Sequence, residues 1–347
     1  MLVGVCVMDN NLKPLVSVCM PTYRQEEYVA LAMRGLLSQT YRPLEIVICD
    51  DASTDCTVEE IKRVIKTFPN ENDSEGHLIV NGINVRLVVN EKNLGGLKNY
   101  EKTFLLAEGD LIVDAGGDDI ATPNRVERIV EAWITTGCKP TVIVHDGWRI
   151  DPRGWIIGNI TNRRAVEDAL GAATAYVPDV VRKFPTISET SGYEDHVFGF
   201  RALMLGEECH LNEKLVYYRV GSGVSSVLMS HRPIDIKDAM WTISSAEQSL
   251  RDIEVASVPC SDTRRKELKN VLEDYLHRTR ARLKMLSGVT VMERYSGYRE
   301  IKCPMFSTGR MIQYVYLLPH WLCDFLLDGY LRLKYVFLRF RAKKISC

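Results

Sequence analysis

Three pairs of neighbouring carboxylates, Asp50-Asp51, Asp118-Asp119 and Glu194-Asp195, carry most of the chemistry that this chain of 347 residues offers. The second pair is the most informative. It follows an apolar run, Leu111 to Val113, and two glycines, Gly116 and Gly117, which let the backbone turn sharply after a buried strand. The carboxyl ends of strands are where open α/β sheets bind ligands. Carboxylate oxygens suit Mg²⁺ or Mn²⁺, ions that take one or two protein carboxylates and fill their remaining positions with water and phosphate oxygens. A metal-diphosphate site is one local reading. A solvated turn with a helix N-cap ahead of Pro123 is the other.

The elements that must position these residues follow an alternating pattern. Strand-like runs are expected at Leu15 to Met20, Leu44 to Cys49, Val85 to Val89 and Leu111 to Val113. Helical periodicity is expected at Glu27 to Leu37 and Val58 to Phe68, and a glycine-bearing turn, Asn93 to Asn99, leads into a third helix. Pro69 to Gly82 reads as a surface loop. Such alternation predicts βαβ units and a mostly parallel sheet. Right-handed crossovers would gather the Asp-, Thr-, Gly- and Asn-rich loops along one sheet edge, as a nucleotide-sized cleft requires.

Beyond Asp119 the pattern changes. Arg125 to Trp133 reads as a helix, Thr141 to Val144 as a strand, and Trp148 to Gly158 as a hairpin turning at Asp151 to Gly154. A small-residue segment, Gly171 to Ala175, precedes a helix opened by Tyr193 to His196. A short strand at Leu215 to Arg219 leads into the loop Gly221 to Ser226, and from about Ile234 the chain reads as mainly helical. Near the end, Leu326, Tyr330, Leu333, Phe337 and Phe340 form an apolar stripe flanked by Arg332, Lys334, Arg339, Arg341, Lys343 and Lys344. A membrane-surface segment at 311–344 and a packing surface, against the rest of the chain or a second copy in a homodimer, are both consistent with that stripe.

A formal net charge of -1 gives no electrostatic case for nucleic acid as a partner. The 10 cysteines form no C-x-x-C pair and several lie in apolar runs, as reduced thiols in a cytoplasmic protein would. The N-terminus lacks the pattern of a signal peptide, and no apolar run is long enough for a membrane span.

Taken in order, several stretches resemble the large family 2 of inverting glycosyltransferases. They are Val16 to Arg24, Leu36 to Tyr41, Glu45 to Asp55, Gly116 to Ile120 with Pro123 and Arg125, Glu194-Asp195 ahead of Arg201-Ala202, and Tyr217 to Arg219 before a Gly/Ser loop. The resemblance covers roughly residues 15–226 and implies an α/β fold of the GT-A (Rossmann-like) type, with a mostly parallel central sheet flanked by helices. A GT-A domain is expected over 1–230, its nucleotide-binding half at about 15–120 and its acceptor half at about 121–230. A helical C-terminal extension is expected over 231–347.

The resemblance also implies roles. Pro21, Thr22 and Tyr23 would line the base and ribose pocket, Asp51 would accept a hydrogen bond from the base edge, and Asp50 would be structural. Lys98 stands where the family often has a basic residue near the donor. Asp118 would face the donor sugar or ribose, and Asp119 would be the metal ligand for Mg²⁺ or Mn²⁺. Asp195 resembles the base, with Glu194 the alternative because the register of a carboxylate pair is not fixed by sequence, and His196 a third choice. Arg219 is a candidate phosphate contact. Many members carry a further Asp two positions before Asp118, completing a D-x-D pattern. This chain has Gly116 there, and one carboxylate fewer predicts weaker metal binding.

The implied activity is transfer of a sugar, with inversion, from a nucleotide-diphospho-sugar donor, UDP- or dTDP-linked in preference, to a glycan or lipid-linked acceptor. Surface polysaccharide assembly at the cytoplasmic membrane face is the implied setting. Two alternatives stand beside it. A sugar-phosphate nucleotidylyltransferase would show a glycine-rich basic loop after its first strand, and Pro21 to Gln25 is not such a loop. A catalytically inactive scaffold subunit would have no chemical need for Asp51, Asp119 and Asp195 together.

Overall fold

The computed structural model describes residues 13–161, 170–188, 192–221, 232–300 and 343–344. The first half contains β1 (Val16–Thr22), α1 (Val29–Leu37), β2 (Leu44–Asp50), α2 (Thr57–Ile65), β3 (Asn70–Asn72), β4 (Leu78–Val80), β5 (Ile83–Val89), α3 (Gly96–Leu105) and β6 (Leu111–Asp114). Then come β7 (Ile120–Ala121), α4 (Arg125–Thr135), β8 (Pro140–Ile150), β9 (Trp155–Ile160), a 3₁₀ turn (Gly171–Ala173), β10 (Thr174–Tyr176), α5 (Asp179–Arg182), α6 (Glu194–Leu205) and β11 (Glu207–Arg219). Three helices, α7 (Arg232–Val255), α8 (Asp262–Ser287) and α9 (Val291–Glu300), and the short β12 (Lys343–Lys344) complete the described chain.

One sheet runs in the order β12-β9-β8-β10-β6-β1-β2-β5-β4-β3, with β11 pairing both β8 and β7. Its centre, β6-β1-β2-β5, is parallel, and the register sets Thr22 beside Asp50 and Asp50 beside Val89. The carboxyl ends of these strands are therefore level. The apolar runs that predict the strands are continuous rather than alternating because helices cover both faces. Val16, Val18 and Met20 pack with Val29 and Met33 of α1, Ile61 of α2 and Ile129 of α4. Cys19, Val47 and Ile112 point the other way, to Leu97 and Phe104 of α3, Val180 of α5 and Phe198 of α6.

The structure departs from the sequence reading in three places. Residues 70–80 form the β3–β4 hairpin at the sheet edge rather than a loop. The small-residue segment holds a 3₁₀ turn and then β10, which inserts antiparallel between β6 and β8, where the small side chains of Thr174 and Ala175 are fully buried. β8 and β11 are far longer than the strands expected and run parallel to each other. The loop after Gly221 and nearly all of the basic C-terminal stripe lie outside the described residues.

The C-terminal helices are fastened to α6. Phe184, Phe200 and Met204 share a core with Ala246 and Ile253 of α7 and with Leu268, Leu272 and Leu276 of α8. At its centre Arg201, fully buried, pairs with Asp252 at 2.7 Å and donates to the carbonyls of Val180 and Pro185. Removing one member of such a pair strands the other charge. Asp252→Ala is expected to destabilise the fold by about 3–5 kcal/mol, read as a lowered midpoint of thermal unfolding.

Candidate functional site

Four loops meet at the carboxyl edge of the parallel strands. The first leaves the end of β1, where Pro21 and Thr22 are both buried, and begins with Tyr23, 37% exposed. The Thr22 hydroxyl donates to Asp50 Oδ2, and Asp50 also accepts from the amide and hydroxyl of Ser53. With those bonds Asp50 shapes its own turn. Asp51 faces the next loop, accepting from Asn90 Nδ2 at 2.9 Å, Leu94 N at 2.8 Å and Gly95 N at 3.0 Å. A carboxylate has about four acceptor positions, so Asp51 fixes the entry to α3 and keeps capacity for one further donor.

Asn90 was not singled out by sequence and is central here. It bridges Asp51 and Asn99, and Lys102 Nζ donates to its Oδ1 at 2.7 Å. Lys98 is half-buried on the first turn of α3, between the buried Leu97 and Asn99.

The loop after β6 brings Asp118 and Asp119 back over Gly116. A Cβ at residue 116 would lie 2.7 Å from Asp119 Oδ2 and 3.1 Å from Asp118 Oδ1. The two carboxylates converge on the space that a side chain there would fill. Asp119 Oδ1 accepts from the Arg219 amide at 2.7 Å. Burial, and then the charge of Asp118, push the Asp119 carboxyl well above the usual range, opposed by the Arg219 amide and by the charges of Arg219 and Arg125. Among the described residues no group of three or more His, Cys, Asp or Glu could hold a metal. Two carboxylates that leave coordination positions for water and phosphate are the donor set that Mg²⁺ or Mn²⁺ accepts, and the site fits such an ion.

Arg219 reaches this loop as a brace. Its guanidinium donates to the carbonyls of Asp118, Asp151 and Pro152 and lies 4.6 Å from the centre of the Tyr28 ring. Those bonds use three of its five N–H donors.

Across the cleft the first turn of α6 presents Glu194 and Asp195. Asp195, 8% exposed, accepts from the amides of His196 at 2.8 Å and Gly171 at 3.3 Å. Burial raises its pKa, opposed by His196 and by those two amides. Glu194, half-buried, is pushed up further by loss of hydration and by the charges of Asp195 and Asp114. His196 packs between the rings of Tyr193 and Tyr275. Tyr218 connects the two sides. Burial and the carboxylates of Asp119, Asp118, Asp195 and Glu194 together raise its hydroxyl well above the usual value.

A family model described as glycosyl transferase family 2 matches residues 17–167. The putative glycosyltransferase EpsE of Bacillus subtilis is 34% identical over 120 residues, 35% of this chain and 38% of that protein. The putative colanic acid biosynthesis glycosyl transferase WcaA of Escherichia coli is 29% identical over 119 residues, 34% of this chain and 37% of that one. The matched stretch thus spans well under half the length of these relatives. Among solved structures, S. aureus TarS 1-349 in complex with UDP-GlcNAc aligns with a TM-score of 0.55 at 17% identity, covering 93% of this chain and 88% of its own. Mannosyltransferase PcManGT from Pyrobaculum calidifontis, in complex with GDP-Man and Mn²⁺, aligns with a TM-score of 0.55 at 16% identity, covering 94% and 87%. At those identities the likeness is one of fold. Level strand ends, carboxylate loops in the order read from sequence and the match over residues 17–167 lead to one assignment: the chain has the GT-A fold, and within it residues 17–167 are similar to glycosyl transferase family 2.

Proposed function

We propose that this protein transfers a sugar, with inversion, from a nucleotide-diphospho-sugar to a hydroxyl of a glycan or lipid-linked acceptor. The observation that carries the reading is that two acidic pairs, Asp118-Asp119 and Glu194-Asp195, both lie near enough to Tyr218 to raise its hydroxyl. Asp195 is the base, two backbone donors holding its anion in place; Glu194 is the alternative. It takes the acceptor's O–H proton as that oxygen bonds to the anomeric carbon, and the bond from that carbon to the diphosphate oxygen breaks with its electrons leaving on the nucleoside diphosphate. Asp119, with Asp118 beside it, would hold Mg²⁺ or Mn²⁺, whose contribution is to stabilise the charge of the departing diphosphate. Asp51, Pro21, Thr22 and Tyr23 receive the nucleoside, with Lys98 and Arg219 near its phosphates.

The name of WcaA supports a place in bacterial surface polysaccharide assembly, and the Mn²⁺ complex of PcManGT supports a divalent ion. UDP- or dTDP-sugars are the preferred donors. Among the described residues no helix is long and apolar enough to cross a membrane. Action at the cytoplasmic membrane face, through the basic C-terminal stripe as a membrane contact or a dimer contact, is part of the same proposal.

Calorimetric titration with UDP, dTDP, GDP and CMP, with and without Mn²⁺, tests the donor site. One diphosphate is expected to bind and to bind more tightly with metal; silence with all four would leave a scaffold subunit as the better reading. The convergence over Gly116 gives a second test. Gly116→Ala displaces both carboxylates without removing either, and is expected to weaken metal-dependent nucleotide binding by about 10- to 100-fold, as disturbed ligand orientation commonly does. Unchanged titrations would show that the ion is held elsewhere.

A further inference from the structure

Asp114 closes β6, is fully buried, and neither of its carboxyl oxygens has a hydrogen-bond partner among the described residues. An unpaired anion at that depth is strongly disfavoured, and such a group stays protonated unless a cation or donors meet it. Those atoms meet the base pair instead. A Cβ on Gly171 would lie 2.6 Å from Asp114 Oδ2 and 2.9 Å from Glu194 Oε1, and the Gly171 amide donates to Asp195 Oδ2 at 3.3 Å. One residue without a side chain thus lets three carboxyl groups, one from β6 and two from the first turn of α6, converge.

The three are not equivalent. Asp195 has two backbone donors, which favour its anion. The amide beside the Asp114 carboxyl, that of Ala115, is given to the Cys19 carbonyl, and burial pushes Asp114 up to about 8, with Arg125 and the Ala115 amide opposing the rise and Asp195 adding to it. The groups facing it are Cys19 of β1, Tyr100 of α3, Arg125 of α4, Tyr176 of β10, and Glu194 and Asp195 of α6. Arg125 is the cation of that set. Its guanidinium donates to His145 Nε2 and to the Asp114 carbonyl oxygen, leaving the carboxyl without a donor.

We propose that Asp114 is a positioning residue for the transfer reaction, held as a neutral acid beneath Gly171 so that Asp195 is the one anion of the three and stays aligned with the acceptor hydroxyl. The role rests on the transferase reading; the protonation does not. Ionisation of Asp114 sets a second negative charge against Asp195 and Glu194, and the carboxyls repel one another around Gly171. Environments that separate the pKa values of neighbouring carboxyls are how one fold keeps an acid and a base side by side.

Two measurements test this. An infrared pH titration of the full-length protein is expected to show a protonated-carboxyl C=O component that is present at neutral pH, is lost around pH 8 and is missing from Asp114→Asn. The pH profile of kcat/KM is expected to fall on the alkaline side with the same midpoint in the wild type, and to lose that fall in the variant. A band already gone at neutral pH, or an alkaline fall kept at the same midpoint in Asp114→Asn, overturns the proposal. Should the variant not fold, Asp114→Ser, which also removes the carboxyl, supplies the comparison that separates this band from those of Glu194 and Asp119. Absence of turnover with every nucleotide-sugar, with the band in place, would overturn the transferase reading and the role with it, while leaving the proton on Asp114.

Discussion

Asp195→Asn is expected to lower turnover about 10²- to 10⁴-fold, the range a positioned general base contributes, while nucleoside diphosphate affinity is unchanged. The asparagine keeps the shape of the side chain and an oxygen for the His196 amide at the Oδ1 position, gives up the longer bond from the Gly171 amide at Oδ2, and loses the lone pair that takes a proton. The wild-type pH profile supplies a second readout. Because burial raises the Asp195 pKa, the anion forms only as pH climbs past the ordinary carboxylate range, and kcat/KM should rise over that interval. The variant should show no such rise.

Stability separates this outcome from simple damage. A carboxyl whose pKa is higher in the fold than in the open chain favours folding while protonated, and that contribution is lost as pH rises through the folded value. Above that value the wild type lacks it, so there the cost of Asp195→Asn should be confined to the one amide left facing the new NH2 group, about 1–3 kcal/mol. Glu194→Gln is the control: if its loss of turnover exceeds that of Asp195→Asn, the two carboxylates exchange roles. Full turnover in both would move the base to His196.

The first half of the fold was legible because its signals are local and periodic. Val16, Val18 and Met20 alternate with Cys19 in a strand buried on both faces, which sequence displays as an unbroken apolar run, and the register then places Thr22, Asp50 and Val89 side by side. Other features have no local signal. Thr174 and Ala175 belong to a run of small residues with no strand signal until β10 is seen between β6 and β8, where both are fully buried. Asn90, an ordinary polar residue after a strand, becomes the link among Asp51, Asn99 and Lys102 only in three dimensions. Arg219 reads as a free cation in a motif, yet its donors meet three carbonyls from two loops distant in sequence.

Gly116 shows the limit most clearly. Counted against a D-x-D pattern it is a missing ligand; in the fold it is the space into which Asp118 and Asp119 turn. Asp114 is the converse, a carboxylate in plain view within an apolar strand whose lack of partners no sequence displays.

Asp119→Asn is expected to abolish the metal-dependent part of nucleotide binding. It should also lower turnover about 10³-fold or more, since several kcal/mol of leaving-group stabilisation go with the ion at about 1.4 kcal/mol per factor of ten. The substitution preserves the oxygen that accepts from the Arg219 amide, so the loop keeps its brace and the charge alone is removed. Titrating Mn²⁺ into wild type and variant, with the nucleoside diphosphate present, measures the difference directly. Without the ion, the carboxyl is held well above its usual pKa by burial and by Asp118, so proton and metal compete for the same oxygens. Metal affinity in the wild type should therefore strengthen as pH rises, and the variant, with one carboxylate fewer to deprotonate, should show a shallower dependence. Equal nucleotide affinity with and without metal in both proteins would mean that the diphosphate is neutralised by the chain's own cations. Lys98, half-buried at the start of α3, would then be the residue to replace next, because the Arg219 guanidinium is already bound to the carbonyls of Asp118, Asp151 and Pro152.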